Sequence, residues 1–252
     1  MNKLPIKESF FFSGNEIGCV MVHGFGSTPG EVADLGRLLH LQGYTVKGTL
    51  LAGHGTSPEE MAKTTWMDWY RSLEQDINYL RRDCTQVWVF GLSLGGALGL
   101  YAASQGLLDG LVAMAAPTGL VDKKAGYAKY ARFFIPYTKL KLTPGQQEFN
   151  KRAGRYVYPK WPLKAIGSLY EFIQISNQSL HKIKIPTLII HTKIDDVILP
   201  GSGQEIYRKI SSSTKELVLL ENSGHIVTES LEKDLVNQKA VEFIKRMVED
   251  GK

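Results

Sequence analysis

The chain has 252 residues, 43% of them hydrophobic and 22% charged, which is enough apolar content to bury a substantial core and too much for a disordered chain. The length suits one α/β domain carrying an insertion. A net charge of +5 bears on solubility and non-specific attraction only, since no nucleic-acid motif accompanies it, and no apolar run approaches the ~20 residues of a membrane-spanning helix.

The start of the chain lacks a basic stretch, apolar segment and cleavage site of a secretory signal, so a cytoplasmic protein is expected. Cys19 and Cys84 have neither metal-ligand nor CxxC spacing and are expected to be reduced core residues.

Short apolar runs alternate with helical patterns along the chain, which implies a mostly parallel sheet covered by helices. The first buried strand is expected at residues 17–22. A helix at 29–41 follows, with Val32, Leu35 and Leu39 on one face; Thr28, Pro29 and Glu31 supply an N-cap, a first-turn proline and a capping-box acid. A strand at 44–49 leads into the loop Leu51-Ala52-Gly53-His54-Gly55-Thr56. Trp66, Trp69, Tyr70, Leu73, Ile77 and Leu80 then recur at helical spacing, with both tryptophans read as packing residues.

A strand at 87–90, a helix at 93–104 and a strand at 111–115 form the next unit. Residues 117–183 break the alternation with about three helical stretches interrupted by prolines, and are read as a small helical cap inserted into a core of residues 1–116 and 184–252. Strands at 187–191 and 216–220, a helix near 202–210 and a terminal amphipathic helix with Leu235, Val241, Ile244 and Met247 complete the pattern.

Gly91-Leu92-Ser93-Leu94-Gly95 sits between a predicted strand and a predicted helix, the setting of a nucleophile elbow. A serine hydroxyl needs a base to take its proton and an acid to hold that base in one tautomer. In chain order serine, acid, histidine, the acid is expected in the loop after the late strand, where Asp195 and Asp196 stand, and the base in the loop after the last strand, where His225 follows Gly224. His23 opens the glycine-rich loop after the first strand, from which a backbone N–H can complete an oxyanion hole. Phe25 and Leu94 are the two expected donors; His23 and His54 are expected to brace loops, and His40, His181 and His191 to be structural or superficial.

These segments, with Gly53-His54-Gly55-Thr56, Thr65 to Trp69, Asp195-x-x-Ile198-x-Pro200 and Ser223-Gly224-His225, resemble the small bacterial carboxylesterases and monoacylglycerol lipases of bacilli. The resemblance implies the α/β-hydrolase fold and a triad of Ser93, Asp195 and His225, choosing Asp195 over Asp196 because it stands three residues before Ile198 and five before Pro200. It implies hydrolysis of short- to medium-chain carboxylic esters, small-molecule substrates, through a serine acyl-enzyme, with monoacylglycerol hydrolysis as the alternative and thioester hydrolysis, acyl transfer or a non-catalytic hydrolase-fold protein behind it. No cofactor, metal or nucleic acid is expected, and the chain is expected to be a monomer or dimer. A haloalkane dehalogenase would carry aspartate where Ser93 stands; a binding protein on this fold would not label with a fluorophosphonate.

Residues 122–164 hold eleven lysines and arginines against two acids, a net of +9 in a chain of +5. Tyr127, Tyr130, Ala131 and Phe134 lie on one side of a possible helix and Lys129 and Arg132 on the other. Two roles follow: weak contact with anionic interfaces, or an aromatic face that lines the acyl pocket with lysines outside.

Overall fold

The computed structural model describes residues 6–131, 134–139, 144–152 and 156–249, apart from the side chains of Lys129, Gln146, Phe149 and Arg152. The core is built from β1 (Phe10–Phe12), β2 (Ile17–Val22), α1 (Ala33–Leu41), β3 (Thr45–Thr49), α2 (Pro58–Lys63), α3 (Trp66–Leu80), β4 (Gln86–Leu92), α4 (Leu94–Ser104) and β5 (Gly110–Met114). An inserted segment follows, with α5 (Ala128–Ala131), β6 (Tyr137–Lys139), α6 (Pro144–Arg152), β7 (Lys160–Pro162) and α7 (Leu163–Ser179). The chain then returns to the sheet through β8 (Thr187–Thr192), α8 (Ser202–Lys209), β9 (Lys215–Leu220) and α9 (Lys233–Glu249).

Seven strands form one sheet in the order β1-β3-β2-β4-β5-β8-β9, parallel throughout except for β1. All six residues of β2 and all five of β5 are buried, because helices cover both faces and a parallel strand then meets apolar neighbours on each side. On one face Trp69, Leu73 and Ile77 of α3 pack with Leu98 of α4 and Phe172 of α7; on the other, Leu35 and Leu39 of α1 pack with Phe243 and Ile244 of α9. Cys19 and Cys84 are free thiols within these layers.

The local structure departs from expectation at both the first strand and the first helix. The three-residue edge strand β1 was not foreseen; Phe10 lies over Gly48 of β3, where an added Cβ would come within 2.2 Å of its ring. The short helix α2 was also missed, although Pro58 opens it and Ser57 caps the Glu60 N–H at 3.2 Å. Pro29–Val32 is a 3-10 turn rather than the first turn of α1, and Thr28 makes no side-chain cap bond there. Its carboxylate, on Glu31, is turned instead to the Gly24 N–H at 2.9 Å, a partner seven residues back that no helical pattern reveals.

The insertion is not wholly helical, because β6 and β7 pair antiparallel. Strands of three residues are too short to show alternation. Of the basic helix expected here, Lys123–Tyr127 forms a 3-10 turn and α5 only one turn, while Arg132 and the Lys129 side chain lie outside the described residues. Tyr127, Tyr130 and Phe134 are 70%, 62% and 88% exposed and do not line the cavity described below, so the pocket-lining alternative for this aromatic face is wrong. No helix among the described residues is long and apolar enough to cross a membrane.

Candidate active site

The chain turns from β4 into α4 at Ser93, which has φ 53° and ψ −113°. A serine held at positive φ is strained, and that strain presents its hydroxyl at the end of the strand. Neighbouring backbone passes so close that side chains are excluded: a Cβ on Gly91 would lie 2.2 Å from the Gly95 carbonyl oxygen, and one on Gly95 2.3 Å from that of Val22. Ser93 N donates to Met114 O at 2.8 Å, which ties the turn to β5.

The loop after β9 brings His225 to this serine. Its Nε2 lies 2.9 Å from Ser93 Oγ and its Nδ1 2.8 Å from Asp195 Oδ2. Asp195, in the loop after β8, has a second anchor, since its Oδ1 accepts the N–H groups of Val197 and Ile198 at 2.9 Å each. Burial works to raise its pKa, but the hydrogen bond and charge of His225 and these two amides outweigh it and hold the carboxyl below the usual value. The acid is therefore ionised, and as an acceptor it requires the proton on Nδ1. Asp196 is exposed and outside this chain of contacts.

Glu232 holds the histidine loop in place. Its carboxylate accepts from Glu221 N at 3.2 Å, Asn222 N at 2.9 Å and Ser223 Oγ at 2.8 Å, while Thr192 Oγ1 donates to the Ser223 carbonyl. Sequence reasoning passed over Glu232, because nothing local connects it with residues ten positions earlier.

Gly24 of the loop after β2 packs on the elbow: an added Cβ would sit 3.5 Å from Ser93 Cβ. Phe25 follows Gly24 and lines the same cavity as Ser93, and Leu94 is the first residue of α4, at the end of a helix whose first N–H groups lack intrahelical partners. His23 donates from Nδ1 to Gly24 O at 2.8 Å and accepts the Leu51 N–H on Nε2 at 3.2 Å, so it joins two loops as a neutral ring. Burial lowers its pKa to about 4, and burial together with the charge of His23 lowers that of His54 to about 3. Trp161, from the insertion, stacks on Phe25 with centroids 4.9 Å apart.

These groups open on a cavity of about 960 Å³. Ser93, His225 and Phe25 line it, and the insertion contributes Leu120, Tyr156, Trp161, Leu169 and Ile173 to its wall, joined by Val197 and Ile198 from the core. The lining is largely apolar and suits the hydrocarbon part of a small molecule.

A family model described as serine aminopeptidase, S33, matches residues 16–232. The chain belongs to this family. It is a serine hydrolase of the α/β-hydrolase fold. It is 31% identical to a thermostable monoacylglycerol lipase from Bacillus sp. (strain H-257), over 94% of this chain and 93% of that one. It is 28% identical to a carboxylesterase of Bacillus subtilis (strain 168), over 97% and 99%. Among solved structures, one reported for the metagenome-derived lipolytic enzymes LipS and LipT superposes with a TM-score of 0.88 at 30% identity, covering 96% of this chain and 99% of that one. The monoacylglycerol lipase of Paleococcus ferrophilus, with a TM-score of 0.79 at 18% identity over 93% and 96%, shares the fold. The resemblance to bacillar carboxylesterases and monoacylglycerol lipases read from the motifs is thus present along nearly the whole chain.

Proposed function

We propose that the chain is a carboxylesterase in which Ser93 is the nucleophile, His225 the general base, Asp195 the acid that orients it, and the Phe25 and Leu94 N–H groups the oxyanion hole. The observation that carries this is the continuous run from Ser93 Oγ through His225 to the ionised Asp195, on the wall of an apolar cavity. His225 Nε2 takes the hydroxyl proton as Ser93 Oγ bonds to the ester carbonyl carbon. The carbonyl oxygen becomes an oxyanion facing the two N–H groups, a type of contact whose loss costs about 2.7–4 kcal/mol per donor. Collapse of the tetrahedral adduct breaks the ester C–O bond, and the alcohol leaves with the proton from Nε2. Water then repeats the sequence on the acyl-enzyme, with His225 again as base, and releases the acid.

The inserted segment serves as a cap, for Leu120, Tyr156, Trp161, Leu169 and Ile173 wall the cavity that Ser93 also lines. A second reading, hydrolysis of monoacylglycerols, is supported by the lipase relative and by the size of the cavity. Labelling by a fluorophosphonate, lost in Ser93→Ala, tests the nucleophile. Comparing kcat/KM across p-nitrophenyl esters of increasing chain length, monoacylglycerols and aminoacyl p-nitroanilides tests the substrate class; a preference for the anilides would overturn the esterase reading.

The exposed Tyr127, Tyr130 and Phe134 beside exposed Lys123 and Lys124 favour weak contact between the cap and anionic interfaces. The free buried thiols fit a reducing cytoplasm.

A further inference from the structure

A carboxylate that the acyl-transfer steps do not use lines the cavity beside the elbow. Glu31 is buried, and its Oε2 accepts the Gly24 N–H at 2.9 Å. Burying a carboxylate is costly unless its hydrogen bonds do something for the structure. What it holds is the residue before Phe25.

Gly24 has no side chain to restrict it, so its conformation is set by its partners. Its N–H is held by Glu31. Its carbonyl accepts from His23 Nδ1 at 2.8 Å and from the Ser27 N–H at 3.2 Å. That carbonyl and the Phe25 N–H belong to one planar trans peptide unit and point in opposite directions. Fixing both ends of Gly24 therefore fixes where the Phe25 N–H points. A Cβ on Gly24 would meet Glu31 Oε2 at 3.2 Å, so a larger residue here would press on the carboxylate that holds the loop.

We infer that Glu31 is a positioning residue whose carboxylate, by holding the Gly24 N–H, aims the Phe25 N–H at the oxyanion. The inference rests on Ser93 as nucleophile and Phe25 as donor. The acceptor, rather than the negative charge, is what the geometry uses.

Two variants separate these. Glu31→Met keeps the length and removes the acceptor; Glu31→Gln keeps an acceptor and removes the charge. With active sites counted by fluorophosphonate, Glu31→Met should lose about 10–100-fold in kcat with KM changed less than about threefold, as expected for a misaimed rather than deleted donor. Its affinity for an alkyl boronic acid, which presents a tetrahedral oxygen to the same N–H groups, should fall in parallel. Glu31→Gln should recover kcat to within about threefold of wild type. A structural role alone would lower the melting temperature without moving kcat per active site or boronate affinity. Unchanged kcat in a folded Glu31→Met, or a loss in Glu31→Gln of more than about tenfold, overturns the inference; the second result decides even if Glu31→Met does not fold. Ser93→Ala is assayed alongside, since turnover retained there would sink the underlying assignment instead.

Discussion

Replacing Asp195 by asparagine should disable the enzyme by inverting a tautomer, without disturbing the packing. The wild-type carboxylate accepts on both oxygens: Oδ1 from Val197 N and Ile198 N, and Oδ2 from His225 Nδ1. Asparagine supplies one acceptor and one donor. Its NH₂ cannot face two backbone N–H groups, so the amide oxygen takes that side and the NH₂ faces His225. Nδ1 must then accept, and the ring proton moves to Nε2, aimed at Ser93 Oγ 2.9 Å away. A ring in that state cannot take the serine proton. In a serine hydrolase of another fold this inversion lowers kcat by about 10⁴, or ~5.5 kcal/mol. Asp196 is exposed and contributes nothing to the network, so Asp196→Asn should stay within about threefold of wild type. The assay is kcat on p-nitrophenyl butyrate per titrated active site, with thermal melts to verify folding. Turnover above about 1% in Asp195→Asn, or equal losses in the two variants, would refute the reasoning.

Acid should destabilise the fold before the carboxylates titrate. His23 is neutral when folded, with its pKa lowered by burial from 6.5 to about 4, so between those values the unfolded chain binds more protons and stability falls as pH falls. The window is worth about 3 kcal/mol for His23 alone, and His54 adds in the same direction. Urea unfolding at pH 7 and pH 4.5 measures this; equal midpoints and slopes would show that the two rings are not held neutral. Gly95→Ala should cost about 1–3 kcal/mol and most of the activity, because its Cβ would meet backbone at 2.3 Å, whereas Gly145→Ala meets nothing within 4 Å and should be neutral or slightly stabilising. Melting temperatures that fall alike for both would contradict the steric account. At low salt the protein should sediment with phosphatidylglycerol vesicles and not with phosphatidylcholine ones, and Lys123→Gln with Lys124→Gln should weaken this. Binding that ignores salt and lipid charge would leave the cap as a pocket wall only.

The sheet and its covering helices were legible in the sequence because their signals are local. Six consecutive apolar residues in β2 mean burial on both faces, and the spacing of Trp69, Leu73, Ile77 and Leu80 means one helical face on a core. The elbow was legible for the same reason, since a strained turn with close backbone on each side admits only small residues at fixed offsets. What local signals cannot carry is a pairing between distant residues. The sequence named Ser93, Asp195 and His225 separately; their approach within 2.8 and 2.9 Å spans up to 132 positions and belongs to the fold. The supports, Glu31 under Gly24, Glu232 behind His225 and Trp161 over Phe25, carry no spacing rule and were invisible. Periodicity put Tyr127, Tyr130 and Phe134 on one face without saying which way it turns. That is a matter of what packs against the rest of α5, and the tertiary structure turns those rings to solvent while Trp161, Leu169 and Ile173 close the cavity.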